Sequence, residues 1–260
     1  MPCISDTMDS LEGSSKLVAP LWILRHTPMA PVGLDILYED NHLLAVNKPP
    51  GLPTMGVAAG RPSLVNRAKQ YIKQNYHKPG NVYLGVVSRL DTGTSGVVLF
   101  ARTSKAAGRL SEQFRDRTVQ KTYWAVVAGS IEPPEGELAD WLAKDDAAHQ
   151  MRVVAAQSRG AKEARLRYRV LRRIGSASAL EIDLLTGRKH QIRVQLASRG
   201  HPVWGERKYA RGPAFEGSLT LHARRLVCEH PTKRTGLEIE ALAPASWARF
   251  GLENTAGGGT

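Results

Sequence analysis

Cysteine is nearly missing from this chain, with only Cys3 and Cys228 among 260 residues. A disulfide framework needs an even, grouped set of cysteines in a secreted context, so both are read as free thiols. Also missing is any run of about 18 to 20 uninterrupted apolar residues, which excludes a membrane-spanning helix. The opening "MPCISDTMDSLEGSSK" lacks the basic and apolar regions of a secretory signal. The histidines His190, His201, His222 and His230 fall at no metal-ligand spacing, and "GRKH" lacks the glycine-rich turn and Lys-Ser/Thr ending of a phosphate loop. These absences point to a soluble, intracellular protein with no metal; a cytoplasmic location, a monomer and no cofactor are expected.

Acidic residues are few beside basic ones, 24 against 36, leaving a formal charge of +12. Such an excess favours a polyanionic partner, nucleic acid or an anionic membrane, and does not itself choose between them. The apolar fraction of 42% is ample for a core.

Apolar periodicity divides the chain into short strands and a few helices. "DILYED" and "HLLAVNKPPG" read as a hairpin turning at Asn41, and "SLVNRAKQYIKQNY" as a helix with Leu64, Ala68, Tyr71 and Ile72 on one face. "SGVVLFAR" and "KTYWAVVAG" read as strands around a helix "TSKAAGRLSEQFRDR" capped by Thr103 or Ser104. In "EARLRYRVLRRI" strict alternation puts Leu166, Tyr168 and Val170 on one face and Arg165, Arg167 and Arg169 on the other, a basic stripe suited to phosphates. "ALEIDLLTG" is a further strand, and "RKHQIRVQLASRG" reads as a helix stopped at Gly200. The mix implies an α+β domain on a mixed, largely antiparallel sheet with flanking helices. Its expected span is 35–245, between a loosely packed segment 1–34 and a tail 246–260.

The stretch "VVSRLDTGTSGVVLFAR" sets a carboxylate, Asp91, in a tight polar turn between two apolar runs. "DTGT" matches the short aspartic-protease signature, but that chemistry needs two carboxylates sharing a proton, and the chain has no second such motif. Asp91 as a mere turn-former is the plain alternative, since Asp, Gly, Thr and Ser all bond their own backbone in turns.

Four separated stretches tip the balance. "ILYEDNHLLAVNKPPGLPT", "RLDTGTSG", "KTYWAVVAG" and "LLTGRKHQIRVQLASRGHPVWGERKY" together closely resemble the RluA-type pseudouridine synthases, in order and spacing, from about Asp35 to Ala243. The resemblance implies that fold and an RNA uridine isomerase. It implies Asp91 as the catalytic nucleophile, Tyr123 as the ring that stacks on the target uracil, and Arg193 as the partner of the catalytic carboxylate. Arg89 is implied to contact the RNA backbone, and Arg188, His190 and Gln191, in the same motif as Arg193, join the RNA-binding candidates. The family usually has histidine where Ser88 stands, and often histidine at Gln195, which bears on RNA contacts. Many relatives also carry a separate S4 RNA-binding domain, for which the residues before Asp35 are too few, so the catalytic domain is expected to hold the RNA.

The chemistry is compatible with these residues. Moving uracil from a nitrogen to a carbon glycosidic bond can be done by one carboxylate without metal or redox cofactor. An arginine beside it favours its charged form, and an aromatic ring receives the extruded base. The RNA partner is expected to be ribosomal RNA, with transfer RNA as the second choice. The rival reading is a catalytically idle RNA-binding or ribosome-assembly protein of the same fold.

Overall fold

The computed structural model describes residues 33–58, 60–216 and 218–252. Segment 1–32, with Cys3, and the terminal "NTAGGGT" from Asn254 lie outside the described residues. The hairpin β1 (Asp35–Glu39) and β2 (Leu43–Lys48) closes where Asp40 Oδ1 accepts from the amides of His42 and Leu43, both at 2.8 Å. Helix α1 (Leu64–Asn75) starts at Ser63, whose hydroxyl accepts from Asn66 N, and buries Leu64, Ala68, Tyr71 and Ile72 as its periodicity predicts. Short β3 (Gly85–Val86) leads through the Asp91 turn to β4 (Ser95–Ala101), buried along its whole length, and Thr103 caps α2 (Ser104–Arg115).

The rest of the sheet comes from β5 (Gln120–Ala128), β6 (Glu135–Asp145), β7 (Gln150–Val154), β8 (Lys162–Ile174), β9 (Ala177–Leu184), β10 (Leu221–Glu229) and β11 (Gly236–Glu240). Eleven strands form one sheet in the order β1-β2-β4-β10-β5-β9-β8-β6-β7, with β3 on β4 and β11 on β10. Strand β10 runs parallel to β4 and antiparallel to β5 and β11, so the sheet is mixed and mainly antiparallel. Gly96 makes the β4–β10 junction possible. Its φ is 112°, and a Cβ there would sit 2.2 Å from Ala223 O.

Register assigns the two faces of the central sheet. Tyr123 pairs with Ile182, which pairs with Tyr168, and these face α3 (Gln191–Ala197) in a cluster with Ala125, Leu180, Ile192 and Leu196. The alternate residues Thr122, Asp183 and Arg167 form the row behind them. Arg165, Arg167 and Arg169 therefore point away from the face that carries Tyr123 and α3.

Two expectations need correction. The third helix begins at Gln191 rather than at Arg188, because His190 adopts a left-handed conformation at φ 55° and interrupts helical geometry there. The packed domain also does not stop at residue 245. Ala245–Phe250 forms a 3-10 helix whose Trp247 is 1% exposed, and Trp247, Phe250 and Leu252 cover the second face of the sheet over Val126, Ala177 and Ala179. Indole burial outweighs the ordering cost of this short segment. Trp247→Ala is expected to lower unfolding stability by roughly 3–5 kcal/mol, read by urea denaturation.

Candidate active site

Asp91 sits in the loop between β3 and β4, in a turn closed by Thr94 N donating to Asp91 O at 3.0 Å. Its neighbours are pinned from the segment after β2. The hydroxyl of Thr54 donates to Leu90 O at 2.9 Å and accepts from Leu90 N at 3.1 Å. Lys48 is fully buried, and its ammonium donates to the carbonyls of Pro49, Leu52 and Thr92 at 2.9, 2.7 and 3.1 Å. Three carbonyls match the three donors of an ammonium. Burial pushes its pKa down to about 8, opposed by the charge of Asp91, so it remains cationic at neutral pH.

Among the described residues the Asp91 carboxylate takes no hydrogen bond from its own turn, which separates it from an ordinary turn aspartate. Its oxygens face two other groups instead: Arg193 Nη1 lies 3.2 Å from Oδ2, and His190 Nε2 lies 3.5 Å from Oδ1. Arg193 projects from α3 and is held from behind by Glu206, with Nε to Oε2 at 2.7 Å and Nη2 to Oε1 at 2.9 Å. This fork-to-fork geometry fixes the guanidinium plane. Glu206, whose side chain is wholly buried, also accepts from the amides of Arg207, Lys208 and Tyr209. Burial opposes charge on both partners, yet Glu206 and then Asp91 hold Arg193 above its ordinary pKa, while Arg193 and the backbone amides hold Glu206 below its own. The preceding Gly205, at φ 81°, lies so close to Ser218 O that a Cβ would overlap it, which admits only glycine and aims Glu206 inward.

A cavity of about 290 Å³ opens beside Asp91, lined among others by Arg89, Thr94, Tyr123, Ile192, Arg193 and Leu221. Burial, then the charge of Asp91, pushes the Tyr123 phenol well above its ordinary value, so it presents a neutral ring. A wider hollow of about 740 Å³, also lined by Asp91, is edged by the exposed Arg89, Lys189, Arg207 and Lys208.

The predicted residues divide into three groups. Asp91, Tyr123, Arg193, His190 and Arg89 come together at these cavities. Arg188 and Gln191 line the first cavity but bond inward. Arg188 Nε donates to Glu163 O, and the Gln191 amide ties Thr186 Oγ1, Arg188 N and Arg165 O, holding the turn before α3 to β8. Arg165, Arg167 and Arg169 lie on the opposite sheet face. Glu137 pairs with the first two at 2.7 and 3.1 Å, and Glu181 with the third at 2.8 Å. Ser88, in place of a usual histidine, bonds both backbone groups of Leu99, and Gln195 bonds Asp140 and the carbonyls of Leu138 and Ala164. Both side chains are spent on holding elements together.

Lys48, Thr54, Glu206 and Tyr209 were not singled out by the sequence reading, although all four lie inside the stretches that carry the resemblance. The available signal was a charged residue in an otherwise buried segment, since a buried Lys or Glu requires partners. Among the described residues no three His, Cys, Asp or Glu side chains gather as metal ligands would, and no helix is long and apolar enough to cross a membrane.

Residues 42–198 match the family model described as RNA pseudouridylate synthase. The chain is 34% identical to an RNA pseudouridine synthase of Synechocystis over 82% of this chain and 66% of that protein. It is 32% identical to the dual-specificity RNA pseudouridine synthase RluA of Pasteurella multocida over 84% of this chain and 97% of that one. Among solved structures, human RNA pseudouridylate synthase domain containing 4 superimposes with a TM-score of 0.68 and 28% identity, covering 82% of this chain and 92% of its own.

The buried ion pair makes a stability prediction. Glu206→Gln leaves the Arg193 charge without its bidentate partner, and should lower stability at neutral pH by about 3 kcal/mol. Because the folded pKa of Glu206 lies below the ordinary 4.5, its contribution is present above that pH and is lost as pH falls below it. Urea titrations across that range should show a shallower acid loss for the variant than for the wild type.

Proposed function

The chain belongs to the RluA-type RNA pseudouridine synthases, and we propose that it isomerises uridines in structured RNA, ribosomal RNA ahead of transfer RNA, with Asp91 as nucleophile. The observation that carries this reading is a carboxylate unspent on its own turn, held by Arg193 at the mouth of a cavity that also contains Tyr123. A protease dyad requires two carboxylates in direct contact sharing a proton. Here the second carboxylate, Glu206, lies on the far side of the Arg193 guanidinium, which pairs with both.

The volume suits one extruded base rather than a polymer segment, and Tyr123 offers it a neutral face for stacking. Covalent addition of Asp91 to the uracil or the sugar, or removal of a sugar proton to give a glycal, each needs one ionised carboxylate at the glycosidic bond. In each route the bond from sugar to ring nitrogen breaks, the uracil turns, a bond to ring carbon 5 forms, and that carbon then loses its proton while the freed nitrogen gains one. Arg193 orients the attacking oxygen, and its own orientation is set by Glu206. The flanking phosphates are assigned to the wider hollow, where Arg89, Lys189 and Arg207 stand exposed beside Asp91.

Three experiments test this reading. Asp91→Asn is nearly isosteric and should fold and bind RNA normally while releasing no tritium from RNA labelled at uracil carbon 5. Retention of more than about a tenth of wild-type turnover, ~1.4 kcal/mol of barrier, would exclude Asp91 as nucleophile, and an inactive wild type would favour the idle RNA binder. Pseudouridine mapping of total RNA with and without the gene names the substrate. For the phosphate track, the triple Ala variant of Arg89, Lys189 and Arg207 should flatten log affinity against log salt by roughly one unit per lost contact. The triple Ala variant of Arg165, Arg167 and Arg169 provides the comparison, and a larger change there would move the RNA to the opposite face.

A further inference from the structure

Asp91 has two carboxylate oxygens, and Arg193 reaches only Oδ2. The other oxygen, Oδ1, faces Nε2 of His190 at 3.5 Å. A histidine in left-handed backbone geometry at a helix start, with no side-chain capping bond, is an outlier that calls for a reason. That geometry turns its imidazole between Asp91 and the loop after Gly205. On its other edge, Nδ1 is hydrogen-bonded to the hydroxyl of Tyr209.

The direction of that bond follows from what surrounds the hydroxyl. Met151 N, at the start of β7, lies 3.4 Å from the Tyr209 oxygen, and a backbone amide can only donate. That contact takes up one acceptor position of the hydroxyl and leaves its proton available for His190 Nδ1. An accepting Nδ1 puts the single proton of a neutral imidazole on Nε2, where it faces the Asp91 carboxylate; the opposite tautomer would set a lone pair against that negative charge. Tyr209 is itself held firmly. Its amide bonds Glu206 Oε1, its ring lies under the Arg193 guanidinium at 5.3 Å, and it meets the His190 ring edge-on at 5.6 Å.

We propose that Tyr209 is a positioning residue for the isomerisation: its hydroxyl locks His190 with the proton on Nε2, and so secures the Asp91 oxygen that Arg193 does not hold. The carboxylate is then fixed by two donors at an angle to each other rather than swinging about one. The 3.5 Å separation is of the kind that tightens when substrate fills a site. The inference rests on Asp91 as the reacting group, and one loop serves both arms, Glu206 through Arg193 and Tyr209 through His190.

Tyr209→Phe removes only the hydroxyl and keeps the ring between Arg193 and His190. Turnover of the mapped RNA should fall about tenfold, as small misplacements of a reacting group do, with KM, RNA affinity and melting temperature unchanged. Adding Tyr209→Phe to His190→Ala should cost nothing further. Nitrogen-15 NMR of the wild type, with His190 assigned by the signals lost in His190→Ala, should show a proton on Nε2 alone, and Tyr209→Phe should show both tautomers. A wild-type His190 protonated on Nδ1, wild-type turnover in Tyr209→Phe, or a lowered melting temperature with unchanged kcat would each overturn the proposal. Asp91→Asn is assayed alongside. An active Asp91→Asn sinks the nucleophile reading itself, whereas an inactive one with an undisturbed Tyr209→Phe sinks only the relay.

Discussion

The site depends on one buried guanidinium shared between two carboxylates. Arg193 is 11% exposed, and a charge so placed is tolerated only where hydrogen bonds replace water. Glu206 supplies two of those bonds and is itself compensated by three backbone amides, leaving one edge of the guanidinium for Asp91. An arginine without Glu206 would be free to swing toward solvent. The buried pair thus converts a flexible side chain into a fixed donor, which is what orienting a reactive carboxylate requires.

A second constraint acts from the other side. The Asp91 turn is a part-buried loop between two strands and would be mobile if left to its own bonds. The segment after β2 prevents this, with Lys48 drawing together three carbonyls and Thr54 closing on both backbone groups of Leu90. The proline-rich "NKPPGLPT" is therefore a rigid brace, already restricted in its unfolded states by three prolines and so losing less entropy on ordering. The candidate site takes Asp91 from a loop, Tyr123 from β5 and Arg193 from α3, and the sheet contributes by bringing these elements to one place.

The strong positive charge is distributed unevenly in effect. On the sheet face away from the cavity, arginines of β8 stand across from Glu137 and Glu181 and are largely neutralised in pairs. Beside Asp91, Arg89 and Lys189 are exposed and carry no ion pair among the described residues. Net charge predicts affinity for a polyanion, but pairing decides where a phosphate gains most.

Local pattern alone determined much of this protein. Capping at Ser63 and Thr103, the buried face of α1, the strands and the alternation of β8 are short-range properties, dictated by periodicity and side-chain hydrogen bonding within a few residues. The motif residues Asp91, Tyr123, Arg193 and His190 were also legible, through the resemblance of the four stretches to the RluA-type family. What the sequence concealed was every relation between distant segments. That the arginine stripe lies on the sheet face away from Asp91 follows only from sheet register, and that the Gln191 amide bonds β8 follows only from the packing of α3. Trp247 looked like part of a tail because the surface it buries is assembled from β5 and β9, more than sixty residues away. Glu206 and Tyr209 meet Arg193 and His190 only through the fold. Strand register and the partners of a buried charge are set by packing across the whole sheet, and no window of sequence contains both sides of such a contact.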